Sequence, residues 1–192
     1  MTDTSQDPLL IDVPQSFDTE RLALRCPQRG DGQAVFRAVL ETLDDLRKFP
    51  ASMSWALRQP SIVTSEVFCR EAYARFLART DLPFLAFRRD TGELVVATGL
   101  HRPDWDVPKF EIGFWRRTSA GSHGFATEAV RGLLDFALSR LCAVRVEALV
   151  DDENAAACAL CERIGMTLEG TLRNERRAPD GLRNTRIYAI VS

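Results

Sequence analysis

Phe110-Glu111-Ile112-Gly113-Phe114-Trp115-Arg116 is followed by Arg117-Thr118-Ser119-Ala120-Gly121-Ser122-His123-Gly124 and then by Phe125-Ala126-Thr127-Glu128-Ala129-Val130. The first part alternates. Phe110, Ile112 and Phe114 would point one way and Glu111, Gly113 and Trp115 the other, the two-residue period of a strand. The middle part is a polar turn with two glycines. The last part runs on with Val130, Leu133, Leu134, Ala137, Leu138 and Leu141 at helical spacing. Strand, glycine-bearing turn and helix in that order leave successive N–H groups free at a helix N-terminus, a setting for phosphate. GxxxxGK[ST] is absent, so a nucleoside-triphosphate P-loop is unsupported. GxGxxG and a ribose-binding acid are absent too, which disfavours a dinucleotide fold. Taken alone, Gly121-Ser122-His123-Gly124 reads equally as a plain turn with glycine at positive φ.

Upstream, Arg21–Arg25 alternates as a half-buried strand and ends at Cys26-Pro27. Asp31 is placed to cap a helix carrying Val35, Phe36, Val39, Leu40 and Leu43. Residues 44–63 hold Pro50 and Pro60 and read as a loop with a short helical piece. Thr64 or Ser65 begins a second helix through Thr80, with Phe68, Ala72, Phe76 and Leu77 inward. Strands 84–88 and 93–100 flank Arg89-Asp90-Thr91-Gly92, good hairpin chemistry, and 101–108 reads as a loop. Downstream come a strand over 144–150 and a short helix entered at Asn154 and closed by Gly165. Strands 167–177 and 182–191 then flank Ala178-Pro179-Asp180-Gly181. Hairpins followed by βαβ-type units imply an α/β (α+β) fold: a mixed, mostly antiparallel sheet with helices on both faces.

The chain has 192 residues, 45% hydrophobic and 27% charged, with 25 basic against 27 acidic residues. Those values describe a globular chain that can bury a full core, and they exclude a strongly basic nucleic-acid binder. Residues 1–16 read as a polar tail with the wrong charge for a secretory or mitochondrial leader, and 17–192 as a single domain. No run of eighteen apolar residues exists, so no membrane partner is expected. Five irregularly spaced cysteines suit reduced thiols and a cytoplasmic protein. The Cys158/Cys161 pair has neither a second CxxC nor a nearby His, so no metal site is expected.

Phe110-Glu111-Ile112-Gly113-Phe114-Trp115 with Gly124-Phe125-Ala126-Thr127-Glu128-Ala129 resembles the acetyl-CoA-binding core of the GNAT acyltransferases, and more narrowly their RimJ/RimL branch. Further blocks agree: Thr19-Glu20-Arg21-Leu22 at the opening strand, then Asn154, Cys161-Glu162-Arg163-Ile164-Gly165-Met166 and Leu168-Glu169-Gly170. Pro179-Asp180-Gly181 and Tyr188 match the closing hairpin. The resemblance covers about Phe17 to Val191. It departs at Gly121, Ser122 and His123, where the family usually has Gln or Arg, then Gly, then a basic residue. It departs again at Ala157, where Ser is frequent, and at Cys161, where many members have a Tyr that protonates the leaving thiolate.

The resemblance implies an N-acetyltransferase that moves acetyl from acetyl-CoA to a primary amine by direct attack, without metal. The acceptor stays open between a protein or peptide N-terminus and a small amine. The general acid stays open between water and Cys161. A non-catalytic acyl-CoA-binding sensor or scaffold is the alternative. Glu111 is the expected general base, since an amine must lose its proton before attack and burial between Phe110 and Ile112 would favour proton uptake. His101, which follows the neighbouring strand, reads as a base, a substrate contact or a loop residue. Phe114, Trp115 and Arg116 would hold the pantetheine arm and thioester. Gly121, Ser122, His123, Gly124, Phe125, Ala126 and Thr127 would hold the phosphates, and Asn154 the arm or its phosphates. Trp105, Trp55 and Phe49 read equally as acceptor-site or core residues, and the aromatic loop 49–55 suggests a homodimer.

Overall fold

In the computed structural model, which describes residues 7–192, one eight-stranded sheet runs in the order β1-β2-β3-β4-β5-β6-β8-β7. Its strands are β1 (Ser16–Asp18), β2 (Leu22–Arg25), β3 (Leu82–Arg88), β4 (Leu94–Asp104), β5 (Lys109–Arg116), β6 (Arg145–Asp151), β7 (Thr167–Ala178) and β8 (Gly181–Val191). All neighbours are antiparallel except β5 and β6. The helices are α1 (Gly32–Leu46), α2 (Ile62–Leu77), α3 (Phe125–Arg140) and α4 (Ala155–Arg163).

Strand alternation divides the core between the two faces. Phe84 and Ala86 of β3, Phe110 and Ile112 of β5, and Val146 and Ala148 of β6 join Leu133, Leu134 and Ala137 of α3 and Leu160 of α4. Leu85 and Ala97 turn to the other face, against Val35, Ala38 and Val39 of α1 and Cys69 of α2. Truncating a fully buried leucine in such a core costs about 2–5 kcal/mol.

Long-range contacts adjust several local expectations. Asp31 makes no capping bond to α1. It grips Arg25 at 2.6 and 2.7 Å, and Glu66 of α2 accepts the N–H groups of Gly30 and Gly32 instead. Ser61 and Thr64 form a capping box, so α2 begins at Ile62. The expected loop at 101–108 is shorter, because β4 continues to Asp104 through a bulge after His101. Arg102 sits there at φ +48°, Asp104 pairs with Lys109 at 3.4 Å, and Trp105 meets Phe110 edge-on at 5.2 Å. The expected tail boundary at residue 16 also shifts: Val13 is buried in the main core, and the Ile11 carbonyl accepts from Arg79. The rest of the tail, residues 1–6, lies outside the described residues.

Two features shape the gap that matters. β5 and β6 pair only at Lys109↔Arg145, Phe110↔Val146 and Glu111↔Glu147. Past Glu111, β5 stays with β4 as far as Arg116 and β6 stays with β8 as far as Asp151, so the sheet splits between them. The start of α3 is clamped to the β1–β2 turn. Glu128 accepts from the Thr19 hydroxyl (2.6 Å), the Arg21 N–H (2.7 Å) and the Arg21 guanidinium (2.6 Å).

Burial pushes the Glu128 carboxyl up, but the Thr19 and Arg21 hydrogen bonds and the Arg21 charge outweigh it and hold the group below its ordinary 4.5. A depressed carboxyl stabilises the fold above its unfolded value and loses that contribution as pH falls through the folded value. The stability of the wild type should therefore drop more steeply below about pH 4.5 than that of Glu128→Gln, which should already be less stable at pH 7. Urea midpoints measured from pH 7 down to 3 check this, and parallel curves would remove the clamp as an acid-sensitive element.

Candidate active site

The split between β5 and β6 opens into a cavity of about 760 Å³, within the ordinary size of small-molecule sites. Ile112, Gly113, Phe114 and Trp115 of β5 form one wall, and Ala148 to Asp151 of β6, with Asn154 and Ala157, form another. Further lining comes from Asp81, β3, β4 and Arg176 of β7, and from α1, α2 and the short turn Ser54–Leu57, which contribute Val39, Phe68 and Trp55. Of the residues singled out in the sequence, Glu111, Phe114, Trp115 and Asn154 therefore share one cavity. Arg116, Gly121, Ser122, His123, Gly124, Phe125, Ala126 and Thr127 lie outside its wall, at the end of β5 and the start of α3.

That turn is open and donor-rich. Ser122, His123 and Gly124 are exposed, and Ser122 (φ +62°) and Gly124 (φ +77°) are both left-handed. The first bond of α3 runs from Glu128 N–H to the Gly124 carbonyl, and no side chain caps the helix. Among the described residues, the N–H groups of 122–127 meet no acceptor, which suits an anion at the positive end of a sixteen-residue helix. The preceding turn is pinned to α1: Ser119 N–H donates to Glu41 at 2.6 Å and Thr118 N–H to the Thr42 hydroxyl at 3.1 Å. Arg116 reaches the Thr118 carbonyl and lies over Gly121, where a Cβ would come within 2.5 Å of its guanidinium. His123 stacks on Phe125, and the Thr127 hydroxyl accepts from Arg163 at the end of α4.

The polar groups of the cavity differ in their surroundings. Glu111 is 15% exposed at its side chain, and the Arg102 guanidinium binds its carboxylate. Its setting is thus an ion pair, where flanking Phe110 and Ile112 had suggested an apolar one. Across from Glu111 in register stands His101. Its Nδ1 lies 2.6 Å from Asp81 Oδ1, and Asp81 also accepts from Arg75 at 3.3 Å. The His101 ring lies over two glycines that are themselves partners in register, Gly99 and Gly113. A Cβ on Gly99 would come within 2.8 Å of Cε1, and one on Gly113 within 2.8 Å of Nε2. Asn154 caps α4 through Oδ1, which accepts from the Ala157 N–H at 3.1 Å, and the residue lines the cavity. Asp151 is 3% exposed; Oδ1 accepts the Glu153 N–H, while Oδ2 and the facing Thr185 hydroxyl are without partners among the described residues.

Sequence reasoning missed Asp81, which lies twenty residues from His101 in a helix-to-strand connection. The one signal for the ring was two glycines inside strands, a mark of close approach. Trp105 belongs to the core, its indole donating to the Arg79 carbonyl at 3.0 Å, whereas Trp55 lines the cavity 6.1 Å from Trp115. Phe49 is half-buried. Cys161 is fully buried and does not line the cavity. Among the described residues, no group of three or more His, Cys, Asp or Glu could hold a metal, and no helix is long and apolar enough to cross a membrane.

A split mixed sheet above an uncapped, glycine-entered helix is the architecture of an acetyltransferase, and the sequence pattern of the acetyltransferase (GNAT) domain matches residues 21–167. The chain belongs to that family. An uncharacterised N-acetyltransferase of Bacillus subtilis strain 168, YoaA, is 25% identical over 175 residues, 91% of this chain and 96% of its own. The microcin C7 self-immunity acetyltransferase MccE, solved with acetyl-CoA and AMP, superposes with a TM-score of 0.85 at 18% identity, over 94% of this chain and 98% of its own. The ribosomal L7/L12 α-N-protein acetyltransferase RimL, solved with coenzyme A, superposes with a TM-score of 0.82 at 18% identity, over 90% and 95%.

All five cysteines are free, and only Cys142 is exposed. Burial pushes Cys69 and Cys161 each up to about 12 and raises Cys26 as well. At pH 8 a disulfide reagent should titrate one thiol in the folded protein and five after denaturation. A second fast thiol in the native protein would show that a buried cysteine is reachable.

Proposed function

We propose that this chain transfers the acetyl group of acetyl-CoA to the amine of a peptide N-terminus or small molecule, by direct attack of the amine. The observation that carries the reading is the opening between β5 and β6, whose cavity is lined along β5 as far as Trp115, with the donor-rich turn before α3 following the end of that strand. Acetyl-CoA suits both parts. The free N–H groups of 122–127 match the demand of its phosphates, and the unpaired edges of β5 and β6 beyond Glu111 and Glu147 would flank its arm. Phe114, Trp115 and Asn154 would flank the arm, and Arg116 and His123 would stand by the phosphates. The relatives solved with coenzyme A or acetyl-CoA support the same reading.

The apolar wall formed by Val39, Trp55 and Phe68 suits the body of an acceptor, and the Glu111 carboxylate beside it attracts a protonated amine. High thiol pKa values argue against a cysteine acyl-enzyme. Free buried thiols suit a reducing compartment, and a cytoplasmic location is part of the proposal. So is a homodimer built through the exposed Trp55 and Leu57, which sedimentation at micromolar concentrations would test.

Free thiol release, measured with acetyl-CoA against a panel of peptides with free N-termini, spermidine and benzylamine, should find at least one acceptor. Binding of acetyl-CoA without turnover on any acceptor would leave only a binding domain. Gly124→Val tests the phosphate turn separately. Valine is strained at φ +77°, so the turn should distort and acetyl-CoA affinity should fall by about tenfold or more with the helical signal retained. Unchanged affinity by calorimetry would remove this turn from the proposal.

A further inference from the structure

We infer that His101, oriented by Asp81, is the group that takes the proton from the attacking amine, with Glu111 serving as the anion that draws the amine in. The inference rests on the transfer reading above and goes beyond it. A carboxylate can only accept, and Asp81 already accepts from Arg75. At 2.6 Å from Asp81 Oδ1, His101 Nδ1 therefore carries a proton, and in the neutral ring the lone pair is left on Nε2. That lone pair belongs to an atom over Gly113, the second residue beyond the point where β5 leaves β6. Gly113, Asp81, His101 and Glu111 all line the cavity. The ring fits there because the register partners Gly99 and Gly113 both lack a Cβ, which would come within 2.8 Å of it.

Glu111 stands differently. One of its carboxylate oxygens is already engaged by the Arg102 guanidinium. The charged groups facing the His101 ring are Asp81, with Arg75 of α2 behind it, and Glu111 on β5, with Arg102 beside it on β4. An amine drawn in as its ammonium form first loses one proton to solvent; in the step assigned to the ring, the neutral nitrogen then forms a bond to the acetyl carbonyl carbon as the carbon–sulfur bond breaks. The nitrogen's proton goes to Nε2, and a proton from water ends on the departing sulfur. The imidazolium then returns its proton to solvent. Asp81 is a positioning residue: it fixes the tautomer and stabilises the imidazolium.

The chain has two histidines, so nitrogen NMR on labelled protein reads the ring directly, with His101→Gln identifying its signals by their loss. The wild-type His101 should show Nδ1 protonated, and Asp81→Asn should move the proton to Nε2. On the best acceptor of the panel, His101→Gln should lower kcat by about 10²–10⁴-fold with acetyl-CoA binding kept, and the acidic limb of the kcat/KM profile should vanish. Asp81→Asn should lower kcat with little change in KM. Glu111→Gln should raise the amine KM and keep the acidic limb. Gly113→Ala displaces the ring without removing a titrating group and should lower kcat as well. A wild-type His101 protonated at Nε2, or an active His101→Gln enzyme that keeps the limb, overturns this assignment and leaves the transfer reading standing. A wild type that binds acetyl-CoA and acetylates none of the panel overturns both.

Discussion

Three register pairs hold β5 to β6, and everything distinctive about the molecule follows from their ending at Glu111 and Glu147. A fourth and fifth pair would close the sheet, and the cavity would be filled by the backbone of the neighbouring strand. With the pairing cut short, the residues after Glu111 lie along a wall. Because β5 remains bonded to β4 throughout, that wall is as rigid as the interior of a sheet. The arrangement places stiff backbone beside open space, which is the condition for positioning groups without paying for their order again at each encounter.

The end of β5 is then constrained from both sides. Glu41 and Thr42 of α1 hold the turn that leaves the strand, and Thr19 and Arg21 hold the first turn of α3 through Glu128. Between these anchors Ser122 and Gly124 adopt left-handed conformations, and the exposed residues 122–124 keep their donors unspent. A loop of this kind tolerates changes of side chain more readily than changes of backbone. That accounts for a turn that carries Gly121, Ser122 and His123 where the family resemblance leads one to expect Gln or Arg, then Gly, then a basic residue.

Elements written in local periodicity were legible from the residues. The alternation of β5, the apolar face of α3 and the glycine-bearing hairpins needed no knowledge of distant partners, and the mixed sheet with helices on both faces followed from their order. The blocks around Phe110 and Gly124 led to the family, which residues 21–167 bear out. What stayed hidden depends on contacts between separated parts of the chain. Glu66 serves α1 from another helix, Arg102 reaches Glu111 through a bulge, and Asp81 finds His101 across twenty residues. Val13 looks like part of a polar tail until the sheet edge beside it is drawn. Pairings of this kind carry no fixed spacing, so a linear reading reveals one partner and leaves the other unassigned.

The short joint between β5 and β6 also has a mechanical meaning. Within the sheet, β1 to β5 and β6 to β8 are two stiff plates that meet along a seam of three residues. A molecule lying in the gap touches both plates, so its binding free energy adds directly to the work of parting them. At a free concentration a hundred times its dissociation constant, an occupant adds about 2.7 kcal/mol of resistance. An occupant of the gap would thus act as a brace across the seam, adding to the hold that the shared core beneath the sheet already exerts on both plates.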